Sequence, residues 1–167
     1  MIRIRVILGG TSLLSRDRVE QVQEVFRQSF PELAGYAEKI PSLLRDPVAH
    51  GYRSVLLVAE GAVGRVDGFA LLLHFAAEPC VFLDFIAVRP GLRSSGVGGA
   101  LYEAAREFGV QAGANALYLE VQPDDAESTP DPKEPDEAKR RLRFYQRYGV
   151  RVVEGTDYDA PVGDPRT

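Results

Sequence analysis

The chain is poor in the residues that build disulfide and zinc frameworks. One cysteine, Cys80, and two histidines, His50 and His74, cannot form an internal disulfide or the common tetrahedral Cys/His zinc site. No metal is expected, and a reducing cytoplasm is the expected compartment. An excess of positive charge is missing too: 20 Lys plus Arg against 24 Asp plus Glu leave a net charge of −4, which removes the electrostatic footprint of a nucleic-acid binder. Long apolar runs are also lacking. Phe69 to Phe75 is broken by His74 and is far shorter than the roughly 18 to 20 residues of a membrane span. Met1 to Leu8 alternates apolar and basic residues instead of forming a signal-peptide core. What is present is a globular composition: 167 residues, 45% hydrophobic and 26% charged, enough to close one hydrophobic core.

Periodicity orders the chain. Met1 to Leu8 reads as a strand. Ser15 is placed to cap a helix with Asp17 in its first turn, and Val19, Val22, Val25 and Phe26 recur at helical spacing before Pro31. Pro31 to Gly51 reads as a loop with one short helix near Pro41, the kind of segment that walls substrate sites. Ser54 to Glu60 and Arg65 to Phe75 flank Gly61-Ala62-Val63-Gly64 and spell a β-hairpin. Val81 to Val88, apolar except for Asp84, reads as a central strand buried on both faces, ended by Arg89-Pro90-Gly91. A glycine-rich turn, Arg93 to Gly99, then opens a helix in which Val97, Leu101, Ala104, Ala105 and Phe108 share one face, ending near Gly113. Ala116 to Val121 returns as a strand, so strand, helix and strand predict a parallel pair. Gln122 to Glu137 is proline-rich and acidic, and predicts a loop. A basic helix, Ala138 to Tyr148, closes at Gly149, followed by a last strand, Val150 to Val153, and a polar tail.

Chemistry concentrates in Phe82 to Leu101. A buried strand running into glycines at a helix start brings unpaired backbone N–H groups and the positive end of the helix dipole to one point, which suits phosphate. Gly96 and Gly98 let a ligand approach the backbone without a Cβ in the way, and Arg93 adds a fixed positive charge. Neither a Walker loop nor G-x-G-x-x-G fits, because no Lys-Ser/Thr pair follows the glycines and position 101 is Leu101. Asp84 interrupts the apolar strand, and a buried carboxylate is costly unless partnered or used.

Arg93-Ser94-Ser95-Gly96-Val97-Gly98 resembles the R/Q-x-x-G-x-G/A acetyl-CoA signature of the GCN5-related N-acetyltransferases, and Ile86-Ala87-Val88-Arg89-Pro90 resembles the strand before it. The hairpin from Val58 to Phe69 and the segment Arg143-Phe144-Tyr145-Gln146-Arg147-Tyr148-Gly149-Val150 follow in family order. The similarity runs over roughly residues 52 to 153 and is sharpest between 82 and 108. The resemblance implies an α/β (α+β) acyl-CoA N-acyltransferase fold: a mixed, mostly antiparallel sheet with a parallel, splayed pair and flanking helices, acetyl-CoA lying where the fourth and fifth strands part. It implies that the backbone of Arg93, Ser94, Ser95, Gly96, Val97, Gly98 and Gly99 holds the pyrophosphate and that main-chain groups of Ile86, Ala87 and Val88 pair with the pantetheine arm.

The same resemblance places the general acid at Tyr145. A phenol with an ordinary pKa near ~10 carries a proton at neutral pH and can give it to the departing thiolate. Asp84 corresponds to an acidic residue that faces the acceptor amine in spermidine acetyltransferases, so it is expected to act as a base, to orient the amine, or to serve as a structural carboxylate. Cys80, His50 and His74 read as structural or surface residues. Lys139, Arg140, Arg141, Arg143 and Arg147 suit either the 3′-phosphate of CoA or a solvated basic face. Ala138 stands where many members of the family carry a CoA-contacting Asn. Residues 1–155 are expected to form one N-acetyltransferase domain, and 156–167 a polar tail leading into a missing strand or a further domain. The expected reaction is direct acetyl transfer to a primary amine on a small molecule, polyamine or lysine-like peptide, with a homodimer left open. A non-catalytic CoA-binding module is the competing expectation.

Overall fold

The computed structural model describes residues 2–9, 12–45, 50–121 and 134–156. The chain groups into two compact units, Met1–Glu120 and Val121–Thr167, taken here in turn.

In the first unit, five strands lie in sequence order: β1 (Arg3–Ile7), β2 (Arg53–Glu60), β3 (Val66–Phe75), β4 (Cys80–Val88) and β5 (Ala116–Leu119). The first three pairings are antiparallel and β4 with β5 is parallel, the mixed, mostly antiparallel sheet that the family resemblance implies. The parallel pair requires a crossover, which α3 (Val97–Gln111) supplies.

Alternation along the strands divides the core between two faces. Leu56, Val58, Phe69 and Leu71 join a buried cluster with Val22, Val25 and Phe26 of α1 (Leu13–Ser29) and with Ile40 and Leu44 of α2 (Ile40–Arg45). The opposite side of β3 carries Gly68, where an added Cβ would stand 2.7 Å from the Ala87 carbonyl, 3.0 Å from Val97 and 3.1 Å from Leu101. Only a glycine lets the start of α3 come that close.

Some boundaries differ from the sequence expectation. Ser12, not Ser15, caps α1: its backbone is extended and its hydroxyl accepts from the Ser15 amide at 3.1 Å, so Ser15 lies inside the first turn. The stretch after Pro31 is a 3₁₀ helix, Pro31–Lys39, kinked at Leu33 and continuing into α2. β5 ends at Leu119, two residues earlier than expected. The strands buried along nearly their whole length are β2 and β3, whereas β4 is only partly buried. β5 pairs with only Cys80 to Leu83, so among the described residues the far half of β4 is a sheet edge, and the partial exposure of Asp84 to Ile86 and of Val88 there adds to that of Cys80 and Phe82.

In the second unit, α4 runs from Glu134 to Gln146. It begins four residues before the expected Ala138, because Pro135 falls in the first turn, where a missing N–H costs nothing. Gly149, with φ +80, closes it as expected. The predicted strand Val150–Val153 does not form among the described residues: this segment is without sheet pairing, and Val152 and Val153 are exposed. Valine-rich alternation favours a strand only where a partner ladder is present. Most of the predicted acidic loop, residues 122–133, lies outside the described residues; Glu134 to Glu137 belong to α4.

Candidate functional site

β4 stops at Val88 because Pro90 has no amide hydrogen to donate. Arg89 then anchors the turn to the start of β3, with its amide donating to Asp67 O and its Nε to Val66 O, both at 2.8 Å. Two tight turns follow, closed by Leu92 N to Arg89 O at 3.0 Å and Ser95 N to Leu92 O at 3.2 Å. Ser94 takes a left-handed φ of +68, a conformation that is strained in a residue with a Cβ and that clusters at ligand-binding loops.

Gly96 forms the cap of α3 with φ +86, and no side chain caps that end. The first intrahelical bond runs from Ala100 N to Gly96 O at 3.0 Å, so the amides of Val97, Gly98 and Gly99 have no helical acceptor. A Cβ on Gly96 would meet nothing within 4 Å. The glycine thus serves a backbone angle and leaves clear space before these amides. Arg93, Ser94 and Ser95 are exposed beside it. The loop expected from sequence is therefore brought together, and its uncapped amides, helix dipole and adjacent guanidinium fit a phosphate-bearing ligand.

The second half of the site is made by two irregularities in β4. Pairing with β5 covers only Cys80 to Leu83, the last partners being Leu83 and Leu119. From Asp84 to Val88 that edge meets no strand among the described residues, so the backbone of Ile86, Ala87 and Val88 presents hydrogen-bonding groups for an extended ligand. On the other edge the register shifts: Leu72 faces Leu83 but Leu71 faces Phe85, which leaves Asp84 as the extra residue of a β-bulge. The shift turns two successive residues to one face. Phe85 packs on Tyr36 at 4.9 Å between ring centroids, and Asp84 Oδ2 accepts from the Tyr36 hydroxyl at 3.0 Å.

Among the described residues, no arginine or lysine pairs with Asp84. Burial pushes its carboxyl up to about 6 and the negative charge of Glu120 adds to the rise, while the Tyr36 hydrogen bond works against both. The phenols respond in kind: burial and the neighbouring Asp84 charge raise both Tyr36 and Tyr52 above the ordinary tyrosine value. Tyr52 is framed by His50 at 5.7 Å and Phe75 at 5.4 Å between ring centroids. A half-buried carboxylate surrounded by aromatic rings is suited to take up a cationic amine and to accept its proton.

Tyr36, Tyr52 and Glu120 were not singled out by sequence. The one available signal was the proline-punctuated stretch from Pro31 to Gly51, which carries Tyr36 and ends beside Tyr52. Tyr145 lies in the last turn of α4, in the second unit, where its buried ring meets Phe144 edge-on at 5.2 Å between centroids. Its carbonyl accepts from the Tyr148 amide at 2.9 Å, and so helps close the helix. Cys80 is a half-buried free thiol at the start of β4. No group of three metal-ligating side chains occurs among the described residues, and no described helix is long and apolar enough to cross a membrane.

Comparison with known proteins adds a family match: the Acetyltransferase (GNAT) family pattern covers residues 19–149. Streptothricin acetyltransferase of Streptomyces lavendulae is 39% identical over 64 residues, covering 38% of this chain and 34% of that protein. The matched segment thus spans about a third of that relative's length. Among solved structures, an aminoglycoside acetyltransferase from an uncultured soil metagenomic sample has a TM-score of 0.69 at 18% identity, over 98% of this chain and 99% of that one. Tetrahymena GCN5 reaches 0.68 at 12% identity, over 95% and 91%. An aminoglycoside N-acetyltransferase in complex with CoA reaches 0.61 at 19% identity, over 96% and 95%. At such identities the structural likeness is one of fold.

Proposed function

Since the chain belongs to the acetyltransferase (GNAT) family, we propose that it transfers an acetyl group from acetyl-CoA directly to a primary amine, with Asp84 on the acceptor side. One observation carries the proposal: among the described residues, the open edge of β4 runs from the uncapped start of α3 to a half-buried carboxylate without a basic partner. When bound, acetyl-CoA supplies the acyl group and a thiolate leaving group. The amides of Val97, Gly98 and Gly99 hold its phosphates, with Arg93 adding charge. Ile86, Ala87 and Val88 order its extended arm along the strand edge.

Asp84 attracts the protonated acceptor, orients it and takes one proton directly or through water; the freed amine nitrogen then forms the C–N bond as the C–S bond breaks, and its second proton passes to solvent. Raising the carboxyl to about 6 makes it a better base than an ordinary carboxylate near ~4, closer to an amine near ~10. Tyr145 returns a proton to the thiolate in this scheme, a role that rests on the family resemblance. The acceptor class is a small cationic amine, a polyamine or a lysine-like side chain. The relatives named for streptothricin and aminoglycosides support including both compounds among the acceptors assayed.

The test is CoA release from acetyl-CoA with a panel of amines, peptides and those two antibiotic classes, alongside calorimetry of acetyl-CoA binding. Binding should be lost in Gly96→Asp, which puts a side chain and a negative charge before the phosphate amides. Unchanged affinity in that variant would remove the donor site. Binding without turnover on any amine would leave a CoA-binding module instead of an enzyme.

A further inference from the structure

The hydrogen bond from Tyr36 to Asp84 joins residues 48 positions apart, from two elements that have no backbone pairing. The Tyr36 ring is not free to follow the carboxylate. It stacks on Phe26 at 15° with centroids 5.7 Å apart and leans on Phe85 at 4.9 Å, while Lys39 Nζ sits 5.5 Å above it. Phe26 in turn meets Phe30, Phe69 and Phe85, so the phenol is mounted on the aromatic core of the unit. The carboxylate, by contrast, stands on a bulge, where the ladder does not hold the backbone in register. In this pair Tyr36 is therefore the fixed member and Asp84 the member that is held.

From this geometry we propose that Tyr36 is a positioning residue of the acceptor site: its hydroxyl clamps one oxygen of Asp84 and aims the other at the incoming amine. The inference rests on the acceptor role of Asp84 proposed above. Among the described residues the second oxygen, Oδ1, accepts no hydrogen bond, which leaves it for substrate. The clamp also sets when the site is charged. A donor on the carboxylate favours the ionised form and opposes the rise caused by burial and by Glu120. Among the described residues, the other polar groups around the carboxylate are Tyr52 just before β2, with His50 beside it, Glu120 after β5, and Lys39 across the Tyr36 ring; α1 contributes the rings of Phe26 and Phe30.

The experiment measures kcat/KM against pH for the best amine of the panel in wild type, Tyr36→Phe, Tyr52→Phe and Asp84→Asn, with the Asp84 carboxyl followed by ¹³C NMR titration. Tyr36→Phe keeps the ring and its packing. It should move the acid limb and the NMR titration of Asp84 together to higher pH, by about 0.5 to 1 pH unit. kcat/KM at pH 7 should fall several-fold, with acetyl-CoA affinity unchanged. Tyr52→Phe removes a hydroxyl that does not bond Asp84, and the limb should stay in place. An unmoved limb and titration in Tyr36→Phe would overturn the clamp, and equal shifts in both tyrosine variants would reduce it to a general change of polarity. Failure of the parent proposal looks different: Asp84→Asn would then retain wild-type turnover, whatever Tyr36→Phe does.

Discussion

Glu60 and Asp84 are carboxylates of one sheet, at the end of β2 and in the middle of β4, and their surroundings are opposite. Glu60 is buried, yet Arg5 donates to it from the neighbouring strand, Nε to Oε1 at 2.8 Å, and Arg18 reaches the same oxygen from α1. The Arg5 hydrogen bond, joined by Arg18 and outweighing the effect of burial, holds the Glu60 carboxyl down at about 2. Asp84 meets a phenol instead of a guanidinium, and its carboxyl rises to about 6. One acid is locked in its charged form as a brace between β1, β2 and α1. Among the described residues the other keeps one oxygen without a donor, and its carboxyl, raised to about 6, lies nearer neutrality than an ordinary carboxylate, a state that suits chemistry more than stability.

The largest effect expected from breaking this contrast is in Asp84→Asn. Its kcat/KM should fall by roughly 10² to 10⁴, the range of a lost general base, while the protein becomes more stable at pH 8. The sign follows from linkage. A carboxyl raised from 3.8 to about 6 on folding binds its proton more tightly in the folded state, so stability drains away as pH rises through that window and Asn avoids the loss. The gain should be about 1 to 3 kcal/mol at pH 8 and nothing near pH 3.5, measured by chemical denaturation at both values. A variant that loses stability at pH 8 would mean that Asp84 is structural.

Glu60→Gln should behave in the reverse way. It should cost about 2 kcal/mol at pH 7, the scale of a charge-assisted hydrogen bond, and leave turnover of the folded enzyme unaltered. A carboxyl lowered from 4.5 to about 2 stabilises above the higher value and stops doing so as pH falls through the lower one. The difference between variant and wild type should therefore shrink toward pH 2, and a constant difference down to that pH would assign the cost to packing.

Tyr52→Arg sharpens the comparison by giving Asp84 the kind of partner that Glu60 already has. A guanidinium in the field of Asp84 should lower its carboxyl, shift the acid limb of kcat/KM down and reduce kcat/KM for cationic amines about tenfold by charge competition. Neutral hydroxylamine-type acceptors should lose less; equal losses for both would point to blocked access.

The smallest effect is in salt. Acceptor capture by an open, negatively charged site should weaken, with kcat/KM for a polyamine falling about two- to threefold between low salt and physiological strength, where the Debye length is about 8 Å. The Glu60 brace, buried against Arg18, should contribute equally to stability at both. Salt-independent kcat/KM would exclude steering.

The loop proposed as the donor half of the site was legible as a turn because it is local. Proline after a strand, glycines at a helix start and the arginine before them lie within a dozen residues, and each acts through backbone angles that neighbours impose. The hairpin, the parallel pair and the α3 face were readable from periodicity for the same reason. Asp84 also stood out, as one charge in an apolar strand. Its surroundings did not, since Tyr36 and Tyr52 come from other elements and are joined to it only by folding. The strand expected at Val150 to Val153 is a related case: local propensity favoured it, and among the described residues no partner ladder forms there.

The order of elements, the turn that presents the uncapped amides of α3 and the presence of a lone acid in β4 were therefore legible in the chain. These follow from short-range sterics and from the spacing of apolar side chains. Folding alone fixed that the pairing of β4 with β5 ends at Leu83 and Leu119, that the ladder slips at Asp84, and that Glu60 meets two arginines where Asp84 meets a tyrosine. The ionisation of a buried carboxylate depends on solvent exclusion and on charges brought close in space, and those distances exist only once the chain has folded.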